Sequence, residues 1–207
     1  SILSPEKRMI DMDVILRPAN EADYDAIENL TREAFWGTFD RELCNEHLLV
    51  HKLHKSKAYI PTLDYVAQTA DGQLVGNILY SSSYVIDPAG DRHEMLLFGP
   101  LSVLPTHQKQ GIGSKLVRHT AQIAKDMQYR AILIFGHPAY YPRFGFQNAQ
   151  NYGITTREGR NFDAFMALEL YPGALDRVSG KYYFADVFDD LADDELLAFD
   201  KRFQKKA

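Results

Sequence analysis

The stretch HQKQGIGSK, His107 to Lys115, places two glycines one residue apart among polar and basic side chains, and an apolar helical pattern follows it. Glycine lacks a Cβ, so Gly111 and Gly113 let the main chain approach a ligand closely. If a helix begins here, its first N–H groups are free and the positive end of its dipole favours an anion such as a pyrophosphate. Lys109 and Lys115 add positive charge nearby. Two more specific phosphate motifs fail. A P-loop needs a glycine five residues before a Gly-Lys-Ser/Thr step, but Gln108 occupies that position and Ser114-Lys115 runs in the reverse order. A dinucleotide fingerprint needs a third glycine where Leu116 stands, and a parallel βαβ unit at the start of the fold. On these residues alone, a glycine-rich helix start without a ligand remains the alternative.

The surrounding elements decide what this turn can reach. Ahead of it, HEMLLFGPLSVLP is a long apolar strand pattern interrupted at Gly99-Pro100. Proline donates no ladder hydrogen bond, so a bulge or kink is expected there. After it, Ile112, Leu116, Ala121, Ile123, Ala124 and Met127 recur at helical spacing, and RAILIFG reads as a buried strand. Further upstream, DVILR reads as a strand from Asp13 to Arg17. Asn20 caps a helix running to about Phe35, and a second helix covers roughly Leu43 to Leu53. LDYVAQT and QLVGNILYSSSYVID flank Asp71-Gly72 as an antiparallel hairpin. Downstream, HPAYYPRFGF is compact and aromatic and FDAFMALEL reads as a strand. The tail gives a loop, a short β segment and an amphipathic helix with Phe199 and Phe203 as apolar contacts. The order βα(α)βββαβαβ predicts a mixed α+β sheet in one domain.

Bulk properties narrow the function. The chain has 207 residues, 45% hydrophobic and 25% charged, with net charge −5. That suits a soluble globular domain and argues against wrapping nucleic acid. The single cysteine, Cys44, forbids an intrachain disulfide and reads as a buried structural thiol, which points to a reducing, cytoplasmic setting. No apolar run approaches a membrane span of about 20 residues. The start, SILSPEKRMIDMD, reads as a loose leader rather than a signal peptide.

Taken whole, LLFGPLSVLPTHQKQGIGSKLV resembles the central motif of the GCN5-related N-acetyltransferase (GNAT) superfamily. Its Gln/Arg-x-x-Gly-x-Gly/Ala signature is matched from Gln108 to Gly113, and its Val-x-Pro-like strand end by Val103-Leu104-Pro105. A tyrosine four residues before Gly-Phe is matched by Tyr141 and Gly145-Phe146. NEHLLVHKL, GHPAYYPRFGF and ALELYPGAL are similar to the YhbS-like subgroup of predicted acetyltransferases. The resemblance implies the GNAT acyl-CoA N-acyltransferase fold, a mostly antiparallel sheet splayed at its central strands and flanked by helices. It implies a leader over residues 1–12, the acetyltransferase domain over 13–170 and a C-terminal extension over 171–207 packed on it.

The same resemblance implies acetyl-CoA as donor. Carried over by position, the main chain of Gln108, Lys109, Gln110, Gly111, Ile112, Gly113 and Ser114 would cradle the pyrophosphate, and that of Leu101, Ser102 and Val103 would pair with the pantetheine arm. Strand-like pairing suits an arm that carries amides, and an amide near Val103 could polarise the thioester carbonyl. Tyr141 would donate a proton to the leaving sulfur, although Tyr140 is adjacent. This chain departs from the family in having Gly136-His137-Pro138-Ala139 where an asparagine and an alanine are usual. Glu94, His137 and water are all candidates for the base. The acceptor would be a small-molecule amine or, less in keeping, a peptide amine, and a homodimer is compatible with such a chain. The rival functions are a non-catalytic acyl-CoA sensor and an interaction protein using the C-terminal helix. His47, His51 and His54 could share one helix face, but no cysteine or distant ligand completes a metal set, so a packed or solvated surface is expected. The acidic run Asp186, Asp189, Asp190, Asp193, Asp194 and Glu195 suits a solvated helix start or an acidic rim.

Overall fold

The computed structural model describes residues 14–39 and 43–207. The leader expected over residues 1–12 lies outside them. Among the described residues nine strands form a single sheet: β1 (Val14–Pro18), β2 (Tyr65–Thr69), β3 (Leu74–Ile86), β4 (Arg92–Val103), β5 (Ala131–Phe135), β6 (Gln147–Asn148), β7 (Ile154–Thr156), β8 (Phe165–Glu169) and β9 (Gly180–Phe184). Four helices accompany them: α1 (Tyr24–Phe35), α2 (Glu46–His54), α3 (Ile112–Asp126) and α4 (Asp193–Asp200).

The sheet order is β1-β2-β3-β4-β5-β8-β6, with β9 added against the outer half of β3 and β7 beyond it. The hairpins around Asp71-Gly72 and Pro88–Asp91 make β2 to β4 antiparallel, and β1, which returns through α1 and α2, pairs antiparallel with β2. β4 and β5 run parallel, as do β7 and β9. The second helix starts three residues later than its apolar pattern suggests, since Leu43 to Asn45 lead into it rather than belong to it. Asn20 caps as expected. Its side chain accepts from the Ala22 amide, and Asp23 accepts from the Asn20 amide, closing a capping box that opens a 3-10 turn into α1. The short strands β6 and β7 carry no period long enough to be read from sequence.

Alternation along the strands sorts the apolar side chains to two faces. Ala67, Ile78, Tyr80, Leu96, Ile132 and Ile134 pack with Ile112, Leu116 and Val117 of α3 on one face. Val66 and Leu79 meet Ile27 of α1 and Leu49, Val50 and Leu53 of α2 on the other. Met95, Leu133, Phe165 and Tyr182 continue this second face toward β9.

The tail is tied to the first helix. Arg32 of α1 has only 2% of its surface exposed. It donates through Nε and Nη2 to the two carboxylate oxygens of Asp200 at 2.7 and 3.1 Å, and through Nη1 to the Gln204 carbonyl at 3.0 Å. His47 Nε2 lies 2.9 Å from the same carboxylate. Burial opposes ionisation of Asp200, but the hydrogen bonds and charge of Arg32, with His47 adding, hold its carboxyl below the ordinary range.

The central strand breaks where proline is placed. Ile78 stands opposite Leu101 and Tyr80 opposite Phe98, so Leu79 alone faces Gly99 and Pro100. That is a bulge in β4. Pairing between β4 and β5 covers only Leu96↔Ile132 and Leu97↔Leu133. Beyond Leu97 the two strands part, while β3 still holds Leu101, Ser102 and Val103 from the other side.

Candidate active site

The glycine turn closes the far end of β4. Pro105–His107 forms a 3-10 turn, Lys109 takes a left-handed conformation (φ 61°) and Gly111 follows at φ 86° as the N-cap of α3. A Cβ at Gly111 would be strained, which is why glycine stands there. Gln108 Nε2 donates to the Val103 carbonyl at 3.1 Å and anchors the turn to the strand. The amides of Ile112, Gly113 and Ser114 belong to the first turn of a 15-residue helix, where no intrahelical acceptor is available. They face a cavity of about 540 Å³ lined also by His107, Lys109 and Arg143. Among the described residues no carboxylate lines it. A Cβ on Gly113 would sit 3.4 Å from Tyr140 Oη, so even alanine would narrow the passage between α3 and the tyrosines.

A second cavity of about 420 Å³ lies where β4 and β5 separate. Leu97 to Leu101 and Ile134 to His137 form its two walls. Phe35, Phe39, Glu46, Leu49 and Phe188 close it on the α1 and α2 face. Leu101 and Tyr140 border both cavities, so the glycine cradle and the slot share a doorway. Tyr140 Oη lies 3.1 Å from Ser114 Oγ, and Arg143 stacks over the Tyr140 ring at 4.2 Å while its Nε donates to the Tyr140 carbonyl at 2.8 Å.

Tyr141 borders the slot alone. Its ring packs against Phe98 and Phe146, each with centroids 5.8 Å away. A Cβ on Gly136 would come within 2.4 Å of that ring, so Gly136 is what lets Tyr141 lie flat against β5. Burial, with the neighbouring Tyr140 adding, pushes the Tyr141 phenol well above its usual pKa, so it holds its proton at neutral pH.

The structure thus brings together Leu101, Val103, Gln108, Lys109, Gly111, Ile112, Gly113, Ser114 and the tyrosine pair around one passage. Ser102 points the other way, buried with its Oγ 3.4 Å from Thr31 Oγ1, so only its main chain could serve a ligand. Gln110 is turned back toward the Thr106 carbonyl at 3.4 Å. Glu94 lies on the half of β4 before the bulge, with its side chain 59% exposed and paired to Arg92 at 2.5 Å, remote from the passage. His137 does line the slot.

The three α2 histidines diverge to three carboxylates: His47 to Asp200, His51 to Glu28 at 2.5 Å and His54 to Asp64 at 3.0 Å. The acidic run also spreads out. Lys52 meets Asp190 and Glu195 at 3.0 and 2.7 Å, and Arg157 meets Asp189 at 3.1 Å. No helix among the described residues is long and apolar enough to cross a membrane.

Sequence reasoning missed two residues. Arg143 stands two places after Tyr141 in a motif singled out for its aromatics, and its charge was the available signal. Glu46 lies in the first turn of α2, and nothing local to it announces a cavity wall.

A parted sheet with a glycine-rich helix start beside the gap is the architecture of an acyl-CoA N-acyltransferase, and the comparisons agree. The Acetyltransferase (GNAT) domain family matches residues 16–149, and the chain belongs to that family. It is similar to YhbS of Escherichia coli strain K12, described as an uncharacterized N-acetyltransferase, at 29% identity over 81% of this chain and 93% of that protein. The crystal structure of Escherichia coli YhbS in complex with CoA superposes with a TM-score of 0.74 at 25% identity, covering 86% of this chain and 92% of that one. A GNAT family acetyltransferase from Brucella melitensis in complex with acetyl-CoA gives a TM-score of 0.68 at 27% identity, over 85% and 98% of the two chains. This protein is a GNAT N-acetyltransferase.

Proposed function

We propose that the chain transfers an acetyl group from acetyl-CoA to a primary amine by direct attack, and that a small molecule is the acceptor. The observation that carries this reading is the end of β4–β5 pairing at Leu97, which leaves Leu101 to Val103 without a strand partner on the β5 side among the described residues, beside the glycine cradle. The residues fit the donor. The cradle offers main-chain donors and Lys109, Arg143 and His107 to the diphosphate, with no acid among the described residues to oppose it. The free edge of β4 offers amide partners to the pantetheine arm. The thioester then lies in the slot beside Tyr141, where exclusion of water strengthens any main-chain donor aimed at the developing oxyanion.

The amine arrives as an ammonium ion and must lose one proton before it attacks. As the N–C bond forms the C–S bond breaks, the nitrogen sheds a second proton, and the sulfur takes one from Tyr141. Tyr141 regains its proton from solvent, and the products are the N-acetylamine, free coenzyme A and one net proton. Tyr141 suits the donor role because burial keeps its phenol protonated. His137 at the slot wall, or water, accepts from nitrogen; the location of Glu94 gives it no path to the reaction.

The test is calorimetric titration with acetyl-CoA followed by a screen of amines, with thiol release as the readout. Binding with amine-dependent release supports the reading. Binding without release from any amine leaves a sensor, and absence of binding removes the cradle assignment.

A further inference from the structure

The slot is a chamber that opens where β5 ends, and the first side chain past that end able to exchange a proton is His137. Its main chain is held on both sides. The Gly136 amide donates to the Ala164 carbonyl at 2.9 Å, and the His137 carbonyl accepts from the amides of Tyr140 and Tyr141 at 3.0 and 3.3 Å. Pro138 follows and restricts the turn. The ring is held as well. The Ala139 amide donates to His137 Nδ1 at 3.2 Å, a side-chain contact to the main chain two residues on. An amide N–H only donates, so the lone pair of Nδ1 is engaged and the proton of the neutral imidazole sits on Nε2. The ring nitrogen left to meet a ligand is therefore a donor.

Resting on the acetyl-transfer reading, and choosing between the two proton acceptors it allows, we infer that His137 donates a hydrogen bond from Nε2 to the thioester oxygen and that water takes the proton from the amine. Three reacting atoms could meet an N–H donor in the slot. The sulfur is served by Tyr141. The amine nitrogen needs its lone pair for attack, and a donor placed on it would oppose the reaction. The carbonyl oxygen gains negative charge as the N–C bond forms, and a donor fixed in advance stabilises that charge without reorganising. The oxyanion then collapses as the C–S bond breaks. Tyr141 gives the sulfur its proton and recovers one from solvent, while water carries away the proton of the nitrogen. His137 keeps its own proton throughout.

Three measurements on the full chain test this, and the first two need no acceptor. Nitrogen NMR of histidine-labelled protein at about pH 8, where imidazoles are neutral, should find His137 protonated on Nε2 and bare on Nδ1. The carbonyl infrared band of bound acetyl-CoA should lie lower in wild type than in His137→Ala. His137→Gln, whose amide can also donate, should recover part of that shift. Thiol release is then followed with phenethylamine, spermidine and a lysine-containing peptide as probes. For whichever is acetylated, His137→Ala should lower kcat on the order of 100-fold and His137→Gln by less than about 10-fold, with the rise of rate with pH retained in both. Acetyl-CoA affinity should stay within about three-fold of wild type, and thermal melts confirm that both variants fold. A bare Nε2, an unmoved carbonyl band, or loss of the rise with pH in both variants overturns the inference and leaves acetyl transfer standing. A wild-type chain that does not bind acetyl-CoA fails the underlying reading, and the inference with it.

Discussion

The cradle and the chamber share a doorway at Leu101 and Tyr140 yet are built on opposite principles. The cradle is contiguous in sequence: residues 107 to 114 and Arg143 supply most of it, and its donors are main-chain amides fixed by a turn. The chamber is assembled from Phe35, Glu46, Pro100, Tyr141 and Phe188, which only the fold unites. Main-chain recognition depends on where side chains are missing, while the chamber depends on which side chains are present. The donor end should therefore be intolerant of added atoms, and the acceptor end open to retuning by substitution.

The largest effect should come from the support of the chamber. Asp200→Ala leaves the buried Arg32 guanidinium without its carboxylate and should cost about 3–5 kcal/mol in urea unfolding. It loosens α1 and α2 together, so amine turnover at 37 °C should fail before acetyl-CoA binding at 15 °C does. Acid should act on the same cluster. Burial holds His47 below its usual pKa despite the pull of Asp200. The unfolded chain therefore takes up that proton first, and stability present above about pH 6.5 is lost as pH falls through it. Asp200, held low, adds a second loss with the same sign below about pH 4. Urea midpoints at pH 7.5, 5.5 and 4 should decline in that order, and a flat profile would count against the cluster.

At the cradle, Gly113→Glu places bulk and negative charge among the helix amides and should weaken acetyl-CoA binding on the order of 100-fold. An affinity within three-fold of wild type would put the diphosphate elsewhere. At the doorway, Tyr141→Phe should lower kcat by roughly 10- to 100-fold with acetyl-CoA affinity unchanged. Tyr140→Phe removes only the contact with Ser114 Oγ and should cost a few-fold. Were the two tyrosines to exchange these results, Tyr140 would be the donor. Smallest of all, Arg143→Ala should weaken acetyl-CoA binding by about three-fold at low salt and less at high salt, because its guanidinium is exposed and screened.

Legibility followed the same division. The cradle could be read from sequence because its chemistry is local, with two glycines, a strand before and a periodic helix after. The bulge was readable from Gly99-Pro100, where an alternating strand acquires a residue that cannot donate. Glu46 and Phe188 were not readable as cavity walls, because a half-buried acid at a helix start and a phenylalanine before an acidic run look alike in any fold. The place of β9 was equally hidden. A five-residue strand announces its own conformation but not that it pairs with the outer half of β3 at sequence separations of 95 or more. The metal-like spacing on α2 also illustrates the limit, since one helix row can serve three partners on three other elements.

The bulge in β4 shifts the parity of the strand. Leu96 and Phe98 pack toward α3, and after one extra residue Leu101 and Val103 do so as well, while Ser102 turns to Thr31 of α1. A chain with one residue fewer between Phe98 and Leu101 would return to plain alternation, keeping Leu101 and Val103 toward α3 and Ser102 toward Thr31 but losing the bulge itself. The inversion would come instead if the extra residue were kept but paired in register, which would turn Ser102 to the apolar side. Chain length at this point thus decides whether β4 carries its kink, while the facing of Leu101 to Val103 is the same with the bulge or without the extra residue.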